Sequence, residues 1–162
     1  MQDEETFALS NQAILPVITG SIEDIRGTVK KYNAKVLCNC SEKINADIDS
    51  QLLREALINL LENAIKYGDN NSSVTLAVKE KSNNIFIDIK NTGSIIPEKE
   101  QDRIFNRFYR VDKSRSKKTG GTGLGLAIVK HISIVHNGTI EVHKSDGDTT
   151  VFRLTLPVKK LG

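Results

Sequence analysis

The stretch TGGTGLGLAIVKHI, from Thr119 to Ile132, sets three glycines at alternate positions, Gly121, Gly123 and Gly125, directly ahead of an apolar helical pattern. Glycine lets the main chain approach a ligand closely, and the first N–H groups of a helix have no partner inside it. The combination is a ready anion site, and a phosphate is its natural guest. The same letters also describe a glycine-rich loop entering a core helix, so the rest of the chain has to decide between the two.

The 162 residues, 38% of them hydrophobic, suffice for one packed domain and are short for two. The formal charge of +3 is too small to demand nucleic acid, although Lys113, Arg115, Lys117 and Lys118 gather just before the glycines. Cys38 and Cys40, at alternate positions, are poorly placed to bond each other and are expected to be buried, reduced thiols of a reducing compartment. No signal peptide or membrane-spanning run is present.

Working outward from the glycines, the chain alternates strands and helices. Residues through Gln12 read as a lead-in strand or tail. From Pro16, the stripe Ile18, Ile22, Ile25, Val29 and Tyr32 predicts a helix, weakened by Gly20 and Gly27. AKVLCNC and KINADI read as short strands, and Asp49 or Ser50 can cap a long helix from about 51 to 67. VTLAVKE and NIFIDIKN pair around SNN, Pro97 opens a helix through about Phe108, and another helix runs from Leu124 to about His136, where Asn137 and Gly138 end it. TIEVHK and TTVFRLTLP close the chain around DGD. Such alternation predicts an α/β (α+β) two-layer sandwich, a mixed β-sheet covered on one face by three helices.

The helix REALINLLENAIKYG carries a second constellation. Leu53, Leu57, Leu60, Leu61 and Ala64 form its core stripe, whereas Asn59, Asn63 and Lys66 fall at i, i+4 and i+7 on another face. Asparagine is a poor helix former, so two of them one turn apart ask for a reason. Carboxamide oxygens suit a hydrated magnesium ion and lysine suits a phosphate, while a plain solvated face is the alternative.

Taken in order, the Asn59–Asn63 helix, NTGSIIP, RIFNRFYR and GTGLGLAIVK resemble the ATP-binding catalytic domain of bacterial two-component sensor histidine kinases, most closely over 52–157. The resemblance implies a Bergerat-type sandwich, shared with gyrase, Hsp90 and MutL. It divides the chain into a lead-in over 1–15, following a dimerisation hairpin, and the catalytic domain over 16–160. ATP and Mg2+ are the implied cofactors. Asn63 is similar to the magnesium ligand, with Asn59 one turn earlier. Lys66 and Arg110 match the basic residues that meet the phosphates, and Tyr67 matches the aromatic beside the adenine. Gly121, Thr122, Gly123, Leu124, Gly125 and Leu126 match the phosphate-side loop. Phe105, Phe108 and Tyr109 match the aromatic box anchoring a lid between Tyr109 and Gly121. Thr150 resembles a threonine near the adenine edge.

Two positions set this chain apart from the usual pattern. Hydrolytic relatives carry a glutamate where Asn59 stands, so ATP is expected to be held for transfer and not hydrolysed. The first glycine box usually reads DxGxGI, its aspartate accepting from the adenine amino group; here it is Asn91, Gly93 and Ile95, followed by Ile96. Asparagine keeps a carbonyl acceptor but loses the charge, which weakens the bond by about 1 kcal/mol and relaxes adenine selectivity. Ile95 adds bulk, and a pocket repacked around Ile95 and Ile96 is expected.

His131, His136 and His143 are followed by Ile132, Asn137 and Lys144, and none resembles the phosphoacceptor, which an acidic residue usually follows. The implied reaction donates the γ-phosphate to a histidine helix of the same or a partner protomer, and from there to a response regulator. The chain then reads as a monomeric catalytic fragment without its acceptor, cytoplasmic, tied to a membrane only through parent segments, and with no nucleic-acid partner. A serine kinase of the anti-sigma type and a degenerate nucleotide-binding or interaction module are the alternatives.

Overall fold

The computed structural model describes residues 9–69, 71–93, 95–109 and 124–158. Arg110, Gly121, Thr122, Gly123 and the basic run from Lys113 to Lys118 therefore lie outside the described residues. A five-stranded sheet runs in the order β2 (Lys35–Asn39), β4 (Ser73–Lys81), β5 (Asn84–Thr92), β7 (Thr149–Pro157), β6 (Thr139–Asp146). β2 is parallel to β4 and the other pairs are antiparallel, so the sheet is mixed as expected. A two-stranded ribbon joins β1 (Ser10–Ala13) to β3 (Asn45–Ile48), which brings the lead-in into the fold.

Helices cover one face, and the strands alternate accordingly. Val74, Leu76 and Val78 of β4, Ile85, Ile87 and Ile89 of β5, and Phe152, Leu154 and Leu156 of β7 are buried against them. On the outer face Arg153 binds Asp88 through two hydrogen bonds of 2.8 and 2.9 Å and lies 4.5 Å from the Phe86 ring. The β4–β5 hairpin turns through Ser82 and Asn83, both at positive φ, as a two-residue primed turn requires.

α3 (Ser50–Tyr67) is the central helix of the other layer. The Asp49 carboxylate accepts from Leu52 N at 3.0 Å, capping it as expected, and Leu53, Ala56, Leu57, Leu60, Leu61, Ala64 and Ile65 are buried along it. α4 (Gly125–Val135) packs beside it. His136, just past α4, is buried; its Nδ1–H donates to Ile132 O at 2.9 Å, and its Nε2 accepts from Asp49 N at 3.1 Å. That pairing orients the ring and ties the start of α3 to the end of α4.

Three local expectations are corrected. The single helix from Pro16 is two, α1 (Leu15–Asp24) and α2 (Arg26–Lys31), parted at Ile25. The helix expected after Pro97 is a pair of 3-10 turns, Glu98–Glu100 and Arg103–Phe105, which bury Ile104 and Phe105. Six residues carry only one apolar pair there, too little to define a helical stripe. Cys38 is exposed and Cys40 only half-buried, because β2 is an edge strand that the helical layer does not cover.

Candidate functional site

The polar edge of α3 forms one wall of the site. Asn59, Asn63 and Lys66 are half-buried beside the core stripe. Asn59 Nδ2 donates to Glu55 O at 3.0 Å, which turns its carbonyl oxygen away from its own helix. That oxygen lies 3.0 Å from where a side chain on Gly125 would begin, so Asn59 abuts the first residue of α4 and only glycine fits there without displacement. The side chain of Leu124, at the start of α4, makes no capping hydrogen bond among the described residues, and the positive end of the helix dipole lies there. Glu62 is taken by Thr28, whose hydroxyl donates to it at 2.8 Å.

The second wall is the end of β5. Gly93 bridges to Gly68, Asp69 N donates to Thr92 O at 2.7 Å, and Gly93 N donates to Asp148 O at 2.8 Å. At φ +151° and with Gly68 Cα and Tyr67 O both 2.8 Å from a would-be Cβ, position 93 requires glycine. The strand end is thereby pressed onto the C-terminus of α3, beside half-buried Tyr67.

Between these walls the sheet changes character. Cross-strand register gives apolar rows, Ile87–Leu154–Ile140 and then Ile89–Phe152–Val142, followed by a polar row, Asn91–Thr150–Ser145. Asn91 and Thr150 are 4% and 3% exposed. Ser145 Oγ lies 2.8 Å from Thr150 Oγ1 and accepts from Ile96 N at 2.8 Å, tying the segment after Gly93 to the β6–β7 hairpin. The carboxamide of Asn91 makes no hydrogen bond among the described residues. Its polar atoms are therefore left for a ligand to meet, a carboxamide offering both an acceptor and donors.

Sequence reasoning missed Ser145, and the reason is a bulge. Strict alternation from Val142 would set Lys144 opposite Thr150, but the register shifts between Val142 and Lys144 and puts Ser145 there. Ile95 is 37% exposed, whereas Ile96 is half-buried against the core. Phe105 is buried and meets Phe152 edge-on at 6.1 Å. Phe108 differs from it, being 61% exposed at φ +66° with the Arg107 guanidinium 5.2 Å from its ring. Leu124 and Leu126 are half-buried where the glycine loop enters α4.

The described residues include no cluster of three or more His, Cys, Asp or Glu side chains able to hold a metal. The donors the site offers are the carboxamide oxygens of Asn59 and Asn63, hard ligands of the kind magnesium takes in small number beside water and phosphate. An open cavity of about 330 Å3, lined by Gln12, Pro16, Val17, Gln51 and Arg54 among others, sits at the opposite end of α3 and contains none of the predicted residues. No described helix is long and apolar enough to cross a membrane.

Residues 48–160 match the family described as histidine kinase-, DNA gyrase B-, and HSP90-like ATPase. The sensor-like histidine kinase SenX3 of Mycolicibacterium smegmatis is 45% identical over 109 residues, covering 67% of this chain and 28% of that protein. The sensor histidine kinase WalK of Bacillus subtilis is 37% identical over 134 residues, covering 81% of this chain and 22% of that protein. The chain thus spans under a third of the length of these curated relatives. Among solved structures, the mycobacterial sensor histidine kinase MprB superposes with a TM-score of 0.80 at 24% identity, over 94% of this chain and 99% of that one. Full-length ShkA in complex with AMPPNP superposes at 0.77 and 23% identity, over 97% of this chain and 33% of that one. At such identities these structures speak for the fold alone.

Proposed function

The chain belongs to the histidine kinase-, DNA gyrase B-, and HSP90-like ATPase family as the ATP-binding catalytic domain of a sensor histidine kinase, and on that premise we propose that it binds Mg-ATP and gives up the γ-phosphate to a histidine. The acceptor is a histidine on a separate dimerisation helix, from which the phosphate passes to a response regulator. The structure of ThkA in complex with the response regulator TrrA gives a fold neighbour that carries such a partner. The ATP supply assigns the domain to the cytoplasmic side of a sensor whose anchoring lies in other segments.

The observation that carries this reading is Asn91, a buried residue whose amide makes no hydrogen bond among the described residues, at the point where the apolar rows of the sheet end. The base enters there, beside Tyr67 and Thr150. The phosphates extend along α3 toward α4, past Lys66; Arg110, which the family resemblance gives the same role, lies outside the described residues. Asn63, with Asn59 beside it, would hold magnesium through its carboxamide oxygen, and the ion would supply neutralisation of phosphate charge. The positive end of α4, with the loop Gly121–Gly123, meets the remaining charge. In the transfer, the acceptor nitrogen bonds to the γ-phosphorus as the bond to the bridging oxygen breaks and ADP leaves. No carboxylate takes the place of a base for water at position 59, which keeps ATP for transfer.

Titration calorimetry with a non-hydrolysable ATP analogue and magnesium tests the binding. Heat is expected with the native chain and is lost or strongly reduced with Asn63→Ala; no heat at millimolar ligand would overturn the reading. Labelled phosphate from ATP should reach a histidine-bearing helical hairpin added in trans and should not accumulate on this chain alone.

A further inference from the structure

We propose that Asn91 makes this nucleotide site accept 6-oxopurine triphosphates, inosine and guanosine, as well as the 6-aminopurine ATP. The inference rests on the reading that the base enters at Asn91. A carboxylate can only accept hydrogen bonds, and so selects a base whose 6-position donates. A carboxamide carries an acceptor on one end and two donors on the other. Turning the amide by half a revolution changes its shape little and exchanges the two.

Whether the turn is available depends on what holds the amide, and among the described residues nothing bonds to it. With its carbonyl toward the base, Asn91 accepts from the 6-amino group of adenine. With its amino group toward the base, it donates to the 6-oxo group of guanine or hypoxanthine. Its neighbours in the row tolerate the exchange. Thr150 lies directly across from Asn91, and Thr150 and Ser145 share a hydrogen bond of 2.8 Å in which either hydroxyl can donate. The Ser145 oxygen accepts from Ile96 N whichever way that proton lies. The row Asn91–Thr150–Ser145 therefore contains no fixed carboxylate and no fixed cation, and every side chain in it both donates and accepts.

The test compares the affinities of the magnesium complexes of ATP, ITP and GTP for the native chain, with non-hydrolysable analogues where hydrolysis interferes. The expected result is that at least one 6-oxopurine binds within about thirtyfold of ATP, since a site built for one hydrogen-bonding pattern rejects the other by far larger factors. Binding of ATP with both 6-oxopurines weaker than that overturns the inference and leaves the nucleotide reading standing. Binding of none of the three overturns the nucleotide reading itself. Asn91→Asp, folded by its circular dichroism, should keep ATP and weaken ITP and GTP by about a hundredfold, because a carboxylate then faces the 6-oxo group. Unchanged 6-oxopurine affinity in that variant removes Asn91 as the determinant.

Discussion

Replacing Gly93 by alanine tests how the site is held together. The added methyl would stand 2.8 Å from Gly68 Cα, 2.8 Å from Tyr67 O and 2.9 Å from Asp69 N. All three are backbone atoms, so no side chain can swing aside to make room. The backbone at φ +151° adds a conformational penalty of about 1–3 kcal/mol for any other residue. Overpacking of this kind costs about 1–3 kcal/mol more. Together they amount to a destabilisation of about 2–6 kcal/mol, or roughly 5–20 °C in Tm for a domain of this length. Relief requires the end of β5 or the C-terminus of α3 to move, and either shift separates Asn91 from Tyr67 and Asn63. Nucleotide affinity should therefore fall together with stability. Gly27→Ala is the control, because nothing lies within 4 Å of its would-be Cβ in α2; it should stabilise by about 0.5–1 kcal/mol. Thermal denaturation and calorimetric titration of both variants measure the two effects. A Gly93→Ala protein with native Tm and native affinity would refute the argument that the Gly68–Gly93 bridge shapes the site.

Other perturbations reach different parts of the fold. His136→Leu deprives Asp49 N–H of its acceptor at the start of α3 and should cost about 1–3 kcal/mol in urea unfolding; native stability would show that the ring only fills space. Asp24 accepts from Arg54 at 2.7 and 2.9 Å, and that hydrogen bonding, helped by the guanidinium charge, holds its carboxyl below the usual value. Because the folded value is depressed, the pair's stabilisation is present above the unfolded pKa and is lost as pH falls through the folded one. The stability difference between native and Asp24→Asn proteins should therefore close in acid and shrink in high salt, and a gap surviving full protonation of the carboxyl would contradict it. Burial pushes the Cys38 and Cys40 thiols up, the charge of Cys38 adding to Cys40. Alkylation at neutral pH should run slower than that of free cysteine at both, and faster reaction would contradict this.

What could be read from the letters alone follows the strength of the pattern. α3 repeats its apolar stripe over 18 residues, so its core face, its cap and its Asn59–Asn63–Lys66 edge were all legible. The two hairpins were legible for the same reason, each joining long alternating strands around a short polar turn. The segment after Pro97 has no such repeat, and its 3-10 turns follow from docking Ile104 and Phe105 into a core already formed elsewhere. Edge position misled the reading of the cysteines. An apolar-looking strand gives no sign in its own letters of whether a helix will cover it, and β2 lies at the uncovered margin.

The site itself was half legible, and the missing half lies in the polar row that ends the sheet at Asn91. Glycines and asparagines mark it because each answers a local demand: close approach at Gly93 and Gly125, an amide at Asn59, Asn63 and Asn91. Ser145 answers a demand set by register. One extra residue in β6 moves Lys144 out of the row and brings a hydroxyl opposite Thr150. A lysine in that place would set a fixed positive charge beside Thr150, whereas the hydroxyl leaves the row able to donate or accept. The bulge and Asn91 therefore act in the same direction, each replacing a charge of fixed sign with a group of either sense. Removing the Ser145 hydroxyl should then do more than trim a strand edge. Ser145→Ala keeps the register and deletes the bonds to Ile96 N and to Thr150, and ATP binding should weaken by about tenfold or more. Unchanged ATP affinity in that variant, with the sheet intact by circular dichroism, would mean that the polar row does not meet the base.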